Sequence, residues 1–257
     1  MQWRWIGIAA ALLWASTWWA SVGAAGPDDR AETAPRHDGR SAAVEGLVTY
    51  TGPLLEPIPI SEAGTERHPI EVDPQTKGLK DAVVWLEGVP DAGLSDRSAE
   101  QEPAVIDQVN YFFVPHVLPV EAGRPVEFRN SDIANHGITA SSLNADNRFN
   151  VTTPPGGSYT HRFEATRYPV AIGCPIHAAM SAWIYVFDHP YHAVTDAEGS
   201  FRIPAVPPGR YTLHVRHADG GMSERREVVV GTDRPTRIRV AFDGEDMKAG
   251  ERAKSDR

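Results

Sequence analysis

The sequence predicts an all-β chain of two sandwiches with few helices. Three observations carry that expectation. The 257 residues include 21 prolines and 22 glycines, which favour turns and leave little room for long helices. Past residue 25, no extended stretch repeats its apolar residues at the helical period. Short runs of alternating apolar and polar residues recur instead, each bounded by a turn signal, as in β-sandwiches.

The length suffices for one large or two small domains. An apolar content of 41% and a charged content of 23% are ordinary for a soluble globular protein. The formal net charge is -9 and there is no basic cluster, which excludes a surface for nucleic-acid phosphates.

Residues 1–25 read as a signal peptide. Arg4 precedes an apolar run, and Val22-Gly23-Ala24 or Gly23-Ala24-Ala25 fits a small-residue cleavage site. The competing reading is a retained anchor, because the run from Trp5 to Ala25 is nearly long enough to span a bilayer. The small-residue ending favours cleavage, so no membrane span is expected in the mature, periplasmic or secreted chain. Residues 26–43 are polar and aperiodic and read as a disordered linker.

From Val44 the texture changes. "VEGLVTYTG" and "LKDAVVWLEGV" alternate as strands, the second with Val83 and Trp85 opposite Val84 and Leu86. Residues 88–107 read as loop. "QVNYFFVPHVLPVEAGRPVEFRNSD" predicts two strands separated at Glu121-Ala122-Gly123, and "HGITASS" predicts another. "NADNRFNVTTPPGG" reads as a long loop. "SYTHRFEA", "PVAIG" and "SAWIYVFD" are strands, and a meander follows with turns at Asp196–Gly199 and Pro207-Pro208-Gly209. Residues 244–257 read as a solvated tail.

The chemistry concentrates in "CPIHAAM", between two of these strands. It contains Cys174, the only cysteine, with His177 three residues on and Met180 three further. An exported protein with one cysteine has no internal disulfide, and a metal-bound thiolate is protected from oxidation. Thiolate, imidazole and thioether form a soft set suited to copper. Zinc takes Cys, His and carboxylate rather than Met, and haem attachment needs C-x-x-C-H. A trigonal His2Cys site with a weak axial Met requires a second histidine. His136 is the best candidate, 38 residues upstream where a strand meets a loop.

With these residues in place, "FVPHVLPVEAGRPVEFRNSDIANHGI" followed by "CPIHAAM" resembles the cupredoxin family, the small type 1 copper proteins of the plastocyanin and amicyanin kind. Val120, Gly123, Val126, Phe128, Asn130 and Asp132 match the family's strand pair. The resemblance implies a Greek-key β-sandwich holding one copper through His136, Cys174, His177 and Met180. It departs from the family pattern at Asn135 and Gly137, since an Asn often follows the first His, and at Arg167-Tyr168-Pro169 before the cysteine strand.

"VTDAEGSFRIPAVPPGRYTLHV" is similar instead to carboxypeptidase-regulatory-like, transthyretin-type sandwiches. The expected organisation is therefore a cupredoxin domain at 105–188 and a regulatory-like sandwich at 189–243. Residues 44–104 supply N-terminal strands either to the copper domain or to the second sandwich, which the copper domain would then interrupt. Exported chains of this combination are often labelled methylamine-utilisation-like, a label that establishes no pathway.

Other residues are read as structural. His116 is expected at a strand-end surface, His161 half-buried, and His189 and His192 in turn packing at the domain junction. Trp183, Tyr185 and Phe187 form a core stripe, and "TDAEG" forms a hairpin turn. No Ser-His-Asp arrangement or phosphate loop is apparent, so an enzyme is not expected. The resemblance implies a single-electron carrier, with Pro175, Ile176, Ala178 and Ala179 around His177 forming a small apolar docking surface for a redox partner. A copper storage or delivery protein and a metal-free extracellular binding module are the alternatives.

Overall fold

The structure, a computed structural model, describes residues 41–90 and 101–247. The expected signal segment, most of the expected linker, residues 91–100 and the end of the tail lie outside the described residues. The described regular structure is almost entirely β. In chain order the strands are β1 (Ala42–Tyr50), β2 (Ile58–Ile60), β3 (Thr65–Arg67), β4 (Val83–Glu87), β5 (Ala104–Val109), β6 (Phe112–Val114), β7 (Val117–Glu121), β8 (Pro125–Asn130) and β9 (His136–Ser141). There follow β10 (Phe149–Thr153), β11 (Ser158–Arg162), β12 (Val170–Gly173), β13 (Ser181–Phe187), β14 (His192–Val194), β15 (Ser200–Val206), β16 (Gly209–His217), β17 (Met222–Val230) and β18 (Thr236–Phe242).

Apart from β2 and β3, which pair in a separate two-stranded sheet, these strands form two sandwiches. In one, a three-stranded sheet in the order β15-β1-β18 is accompanied by a four-stranded sheet in the order β14-β4-β16-β17. Val44, Val48, Leu86, Ile203, Leu213 and Val240 are buried in their common core. In the other, a five-stranded sheet β10-β9-β12-β13-β7 is accompanied by a four-stranded sheet β11-β8-β5-β6. Here Ile106, Phe128, Ile138, Phe163, Ile172 and Ile184 form a separate core. Its chain crosses repeatedly between sheets, from β7 to β8 to β9 and again from β10 to β11 to β12.

The second of these sandwiches interrupts the first. The chain leaves after β4 and returns at β14, and these two strands pair antiparallel, His192 opposite Trp85 and Val194 opposite Val83. Exit and re-entry therefore lie side by side, so the surrounding sheet accommodates the interruption without being broken. Strand β1 pairs antiparallel with β15 and parallel with β18, so the N-terminal strands complete the outer sandwich.

The two sandwiches share a small apolar junction. On β13, Ala182, Ile184 and Val186 face the inserted core, while Trp183, Tyr185 and Phe187 alternate to the opposite face. That face packs with Val83, Trp85, Val117 and Ala218. Strand periodicity thus gives β13 two buried faces, one for each neighbour.

Four local expectations are corrected. Residues 88–107 contain the start of β5, which lies in the interior of its sheet between β8 and β6. The stretch expected as one strand before Glu121 is divided among β5, β6 and β7. Val109 pairs with Phe112 across a two-residue turn, and Asn110 (φ 51°) and Tyr111 (φ 64°) both adopt the positive φ of a type I′ hairpin. Residues 144–157 contain a short 3-10 turn, Ala145–Asn147, and the edge strand β10. At the two ends, Ala42 and Ala43 already belong to β1, and Met247 is buried against the outer core rather than solvated.

Candidate metal centre

Three connections meet at one end of the inserted sandwich: the Asn110–Tyr111 turn, the loop between β8 and β9, and the loop between β12 and β13. The last is drawn tight by its own backbone. The Cys174 N–H donates to the Met180 carbonyl at 3.2 Å and the Met180 N–H to the His177 carbonyl at 3.0 Å, just beyond the Gly173–Ser181 pair of the ladder. Cys174 and Met180 consequently stand at the loop's two roots and are buried in the inserted core. His177 sits at its partly exposed tip.

His136 comes from the start of β9 and is fully buried. Its Nδ1 lies 3.0 Å from His177 Nδ1, and Cys174 Sγ lies 3.7 Å from the same His177 nitrogen. The ligating atoms of His136, Cys174 and His177 all lie within 4.8 Å of one another. The spacing fits one ion. Bonds of about 2.0–2.1 Å to nitrogen and about 2.3 Å to sulfur, at trigonal to tetrahedral angles, separate two nitrogens by roughly 3.3–3.6 Å and a nitrogen and sulfur by roughly 3.5–3.8 Å, so the sulfur spacing matches and the two imidazoles need only move apart by a few tenths of an ångström.

Neighbouring groups select the ring orientation. His136 Nε2 faces the Asp132 carboxylate at 2.8 Å and therefore donates, leaving the Nδ1 lone pair on the side of His177 and Cys174. Asp132 also accepts from the backbone N–H groups of Asn110 at 2.7 Å and Tyr111 at 2.9 Å. Burial acts to raise its carboxyl, but the donors Tyr111, His136 and Asn110 outweigh that and hold it below the ordinary carboxylate value. Tyr111 then presents its ring to both imidazoles, with centroids 5.4 Å from His136 and 4.9 Å from His177, nearly perpendicular in each case.

Gly137 gives a physical reason for one departure from the family pattern. Its N–H donates to Cys174 Sγ at 3.3 Å. A Cβ at Gly137 would stand 2.6 Å from Pro175 Cδ, so a side chain there would push the cysteine loop away. Asn130 supports the loop between β8 and β9, which carries Asp132. Its amide donates to the Ala134 and Thr153 carbonyls at 2.9 and 2.8 Å, and its Oδ1 accepts from the Asp132 N–H at 3.0 Å. Buried Gln108 bonds Thr153, which pairs with His136 across β10 and β9.

The four sequence-predicted ligands thus occupy one end of one sandwich. His136, Cys174 and His177 converge, and Met180 is packed in the same core beside Cys174. At the surface, Pro175, Ile176 and Ala178 are exposed, Ala179 is half-buried, and Ile133 from the β8–β9 loop is 94% exposed. Asp132 and Asn130 had a place in the sequence pattern but no role. Tyr111 went unrecognised because its turn lacks the usual Asn-Gly signal.

The other histidines singled out in the sequence lie elsewhere. His116 corrects its surface assignment: both ring nitrogens are bonded, one to the Ser181 carbonyl and one to Asp219. His161 packs among Phe149, Tyr159 and Phe163. His189 and His192 stack on Phe187 at the junction. Burial, with His189 and Arg124 nearby, lowers His192 to about 3.

A family model described as the carboxypeptidase regulatory-like domain matches residues 177–243. Comparison with curated proteins found no match. Among solved structures, the chain is similar to the copper-containing nitrite reductase of Thermus scotoductus SA-01 at 24% identity and a TM-score of 0.32, over 34% of this chain and 23% of that one. It therefore spans about a quarter of that enzyme's length. It is also similar to a purple cupredoxin from Nitrosopumilus maritimus, at 24% identity and a TM-score of 0.29 over 33% of this chain and 99% of that one. A mutant of amicyanin in its Cu(I) form is similar at 16% identity and a TM-score of 0.29, over 40% of this chain and 98% of that one.

Proposed function

We propose that this chain is an exported type 1 copper protein that carries single electrons between redox proteins and is not itself an enzyme. The observation that carries the reading is the convergence of His136 Nδ1, His177 Nδ1 and Cys174 Sγ within 4.8 Å at the end of a β-sandwich. Copper held there supplies exchange of one electron between its Cu(II) and Cu(I) forms. Cys174 would contribute the thiolate, His136 and His177 the imidazoles, and Met180 a weakly held thioether. The Gly137 N–H draws charge from the sulfur, and Asp132 keeps His136 oriented.

A partner reaches the centre at His177, the ligand ring at the surface. Pro175, Ile176 and Ala178 surround it with exposed apolar atoms, joined by Ile133. A contact of this kind is suited to brief association and release.

Reversible cycling distinguishes a carrier from a protein that stores or delivers the ion. The copper-loaded chain is reduced with ascorbate and reoxidised with ferricyanide over many cycles. The reading expects full recovery of the visible band with no copper released. Copper lost to a chelator at each reduction would replace it with the copper-handling alternative.

A further inference from the structure

A second polar cluster lies where the two sandwiches meet, outside the ligand set. Asp219 is in the turn between β16 and β17 of the outer sandwich, and its side chain is only 13% exposed. Its Oδ1 accepts from Trp183 Nε1 at 2.8 Å. Its Oδ2 accepts from His116 Nε2 at 2.7 Å and from Arg67 Nη1 at 3.0 Å. His116 Nδ1 lies 2.8 Å from the Ser181 carbonyl. Both nitrogens of His116 face oxygen atoms, so the ring bridges Asp219 and the Ser181 carbonyl.

Ser181 directly follows Met180 and is the first residue of β13. The Trp183 N–H donates to the His116 carbonyl at 2.9 Å. The outer sandwich therefore grips the start of β13 twice, directly at Trp183 and through His116 at Ser181. Burial acts to raise the Asp219 carboxyl, but His116, Trp183 and Arg67 together hold it well below the ordinary carboxylate range. A charged carboxylate with several donors is a stiff anchor, because removing any one partner leaves buried charge uncompensated.

We infer that Asp219 and His116 are positioning residues for the metal centre: through the Ser181 carbonyl, the outer sandwich sets where Met180 stands and so tunes the reduction potential. The inference rests on the copper reading above and assigns the second sandwich a part in it. With the tether broken, the thioether is held less firmly and donates less to Cu(II), so the potential rises.

The test compares the full chain with His116→Gln, Asp219→Asn and Val83→Ala. The Gln amide reaches towards Asp219 but releases Ser181. The Asn carbonyl still accepts from Trp183, while its amide is no acceptor for His116. Val83→Ala loosens the apolar junction while leaving every hydrogen-bonding member of the tether in place. Asp219→Asn removes a negative charge and His116→Gln does not, so through-space electrostatics alone does not raise both potentials.

The expected result is a rise in both tether variants, with a changed thiolate-to-copper band, and neither change in Val83→Ala. Potentials that stay put, or shift in opposite directions, overturn the inference. A second readout is the Met180 methyl resonance of apoprotein labelled at methionine, assigned with Met180→Leu. If the wild-type chain shows no blue band, the copper reading falls. A Met180 resonance displaced in both tether variants and not in Val83→Ala then preserves the positional tether, and an undisplaced one removes it.

Discussion

Asp132 illustrates how one side chain organises several others. Its carboxylate accepts from His136 and from the Asn110 and Tyr111 backbone, so it aligns a candidate ligand and pins the turn that covers it. Asp132→Asn is expected to weaken copper binding by about 10–100-fold, as loss of a ligand's outer partner commonly does. Competition against a chelator of known affinity measures this, and wild-type affinity would show that His136 needs no such partner. Gly137→Ala is expected to displace the cysteine loop, because the new Cβ meets Pro175. A shifted or weakened thiolate band reports that displacement, and an unchanged one shows that Pro175 yields without cost. The Cys-x2-His-x2-Met spacing was legible in the sequence because three candidate ligands share one loop. The work of Asp132 was not, because its partners come from two separate turns.

At the scale of elements, alternation revealed most strands, and the errors have a common cause. Strand β5 follows residues rich in loop signals and is closed by a hairpin whose central residues are Asn110 and Tyr111 rather than Asn-Gly. Only tertiary contacts, chiefly the Asp132 carboxylate, explain why a tyrosine accepts φ 64° there. Strand β10 was hidden by the turn-forming residues on either side of it, Asn144 to Asn147 and Pro154 to Gly157, and by its partly exposed edge position. Phe128 on β8, 0% exposed, packs against Phe149 at the start of β10 and Phe163 just past the end of β11. Phe128→Ala is expected to cost about 3–5 kcal/mol through lost burial and the cavity left behind. Urea unfolding measures that loss, and a change below about 1 kcal/mol would mean that the core closes over the gap.

The whole molecule couples two cores through β13, and the sequence left open where the first strands belonged. Val83, Val84, Trp85 and Leu86 read equally well in either sandwich, because pairing partners more than a hundred residues away decide the matter. That junction also carries an acid sensitivity. His192 is buried against Phe187, with His189, Arg124 and Glu121 nearby, and is lowered to about 3 in the fold. An unfolded histidine titrates near 6.5. The unfolded chain therefore binds the additional proton between about pH 6.5 and 3, so this stability is present above about 6.5 and lost as the pH falls. The slope is about 1.4 kcal/mol per pH unit for one proton. His192→Phe is expected to flatten the pH dependence of the urea midpoint in that window, and a slope identical to wild type would place the proton elsewhere.

Titration of the metal-free chain with Cu(II), followed by visible absorption, tests the central claim most directly. The account expects an intense thiolate-to-copper band that saturates at one copper per chain and is absent from Cys174→Ser. A colourless wild-type protein with copper bound, or a band that survives in Cys174→Ser, would contradict it.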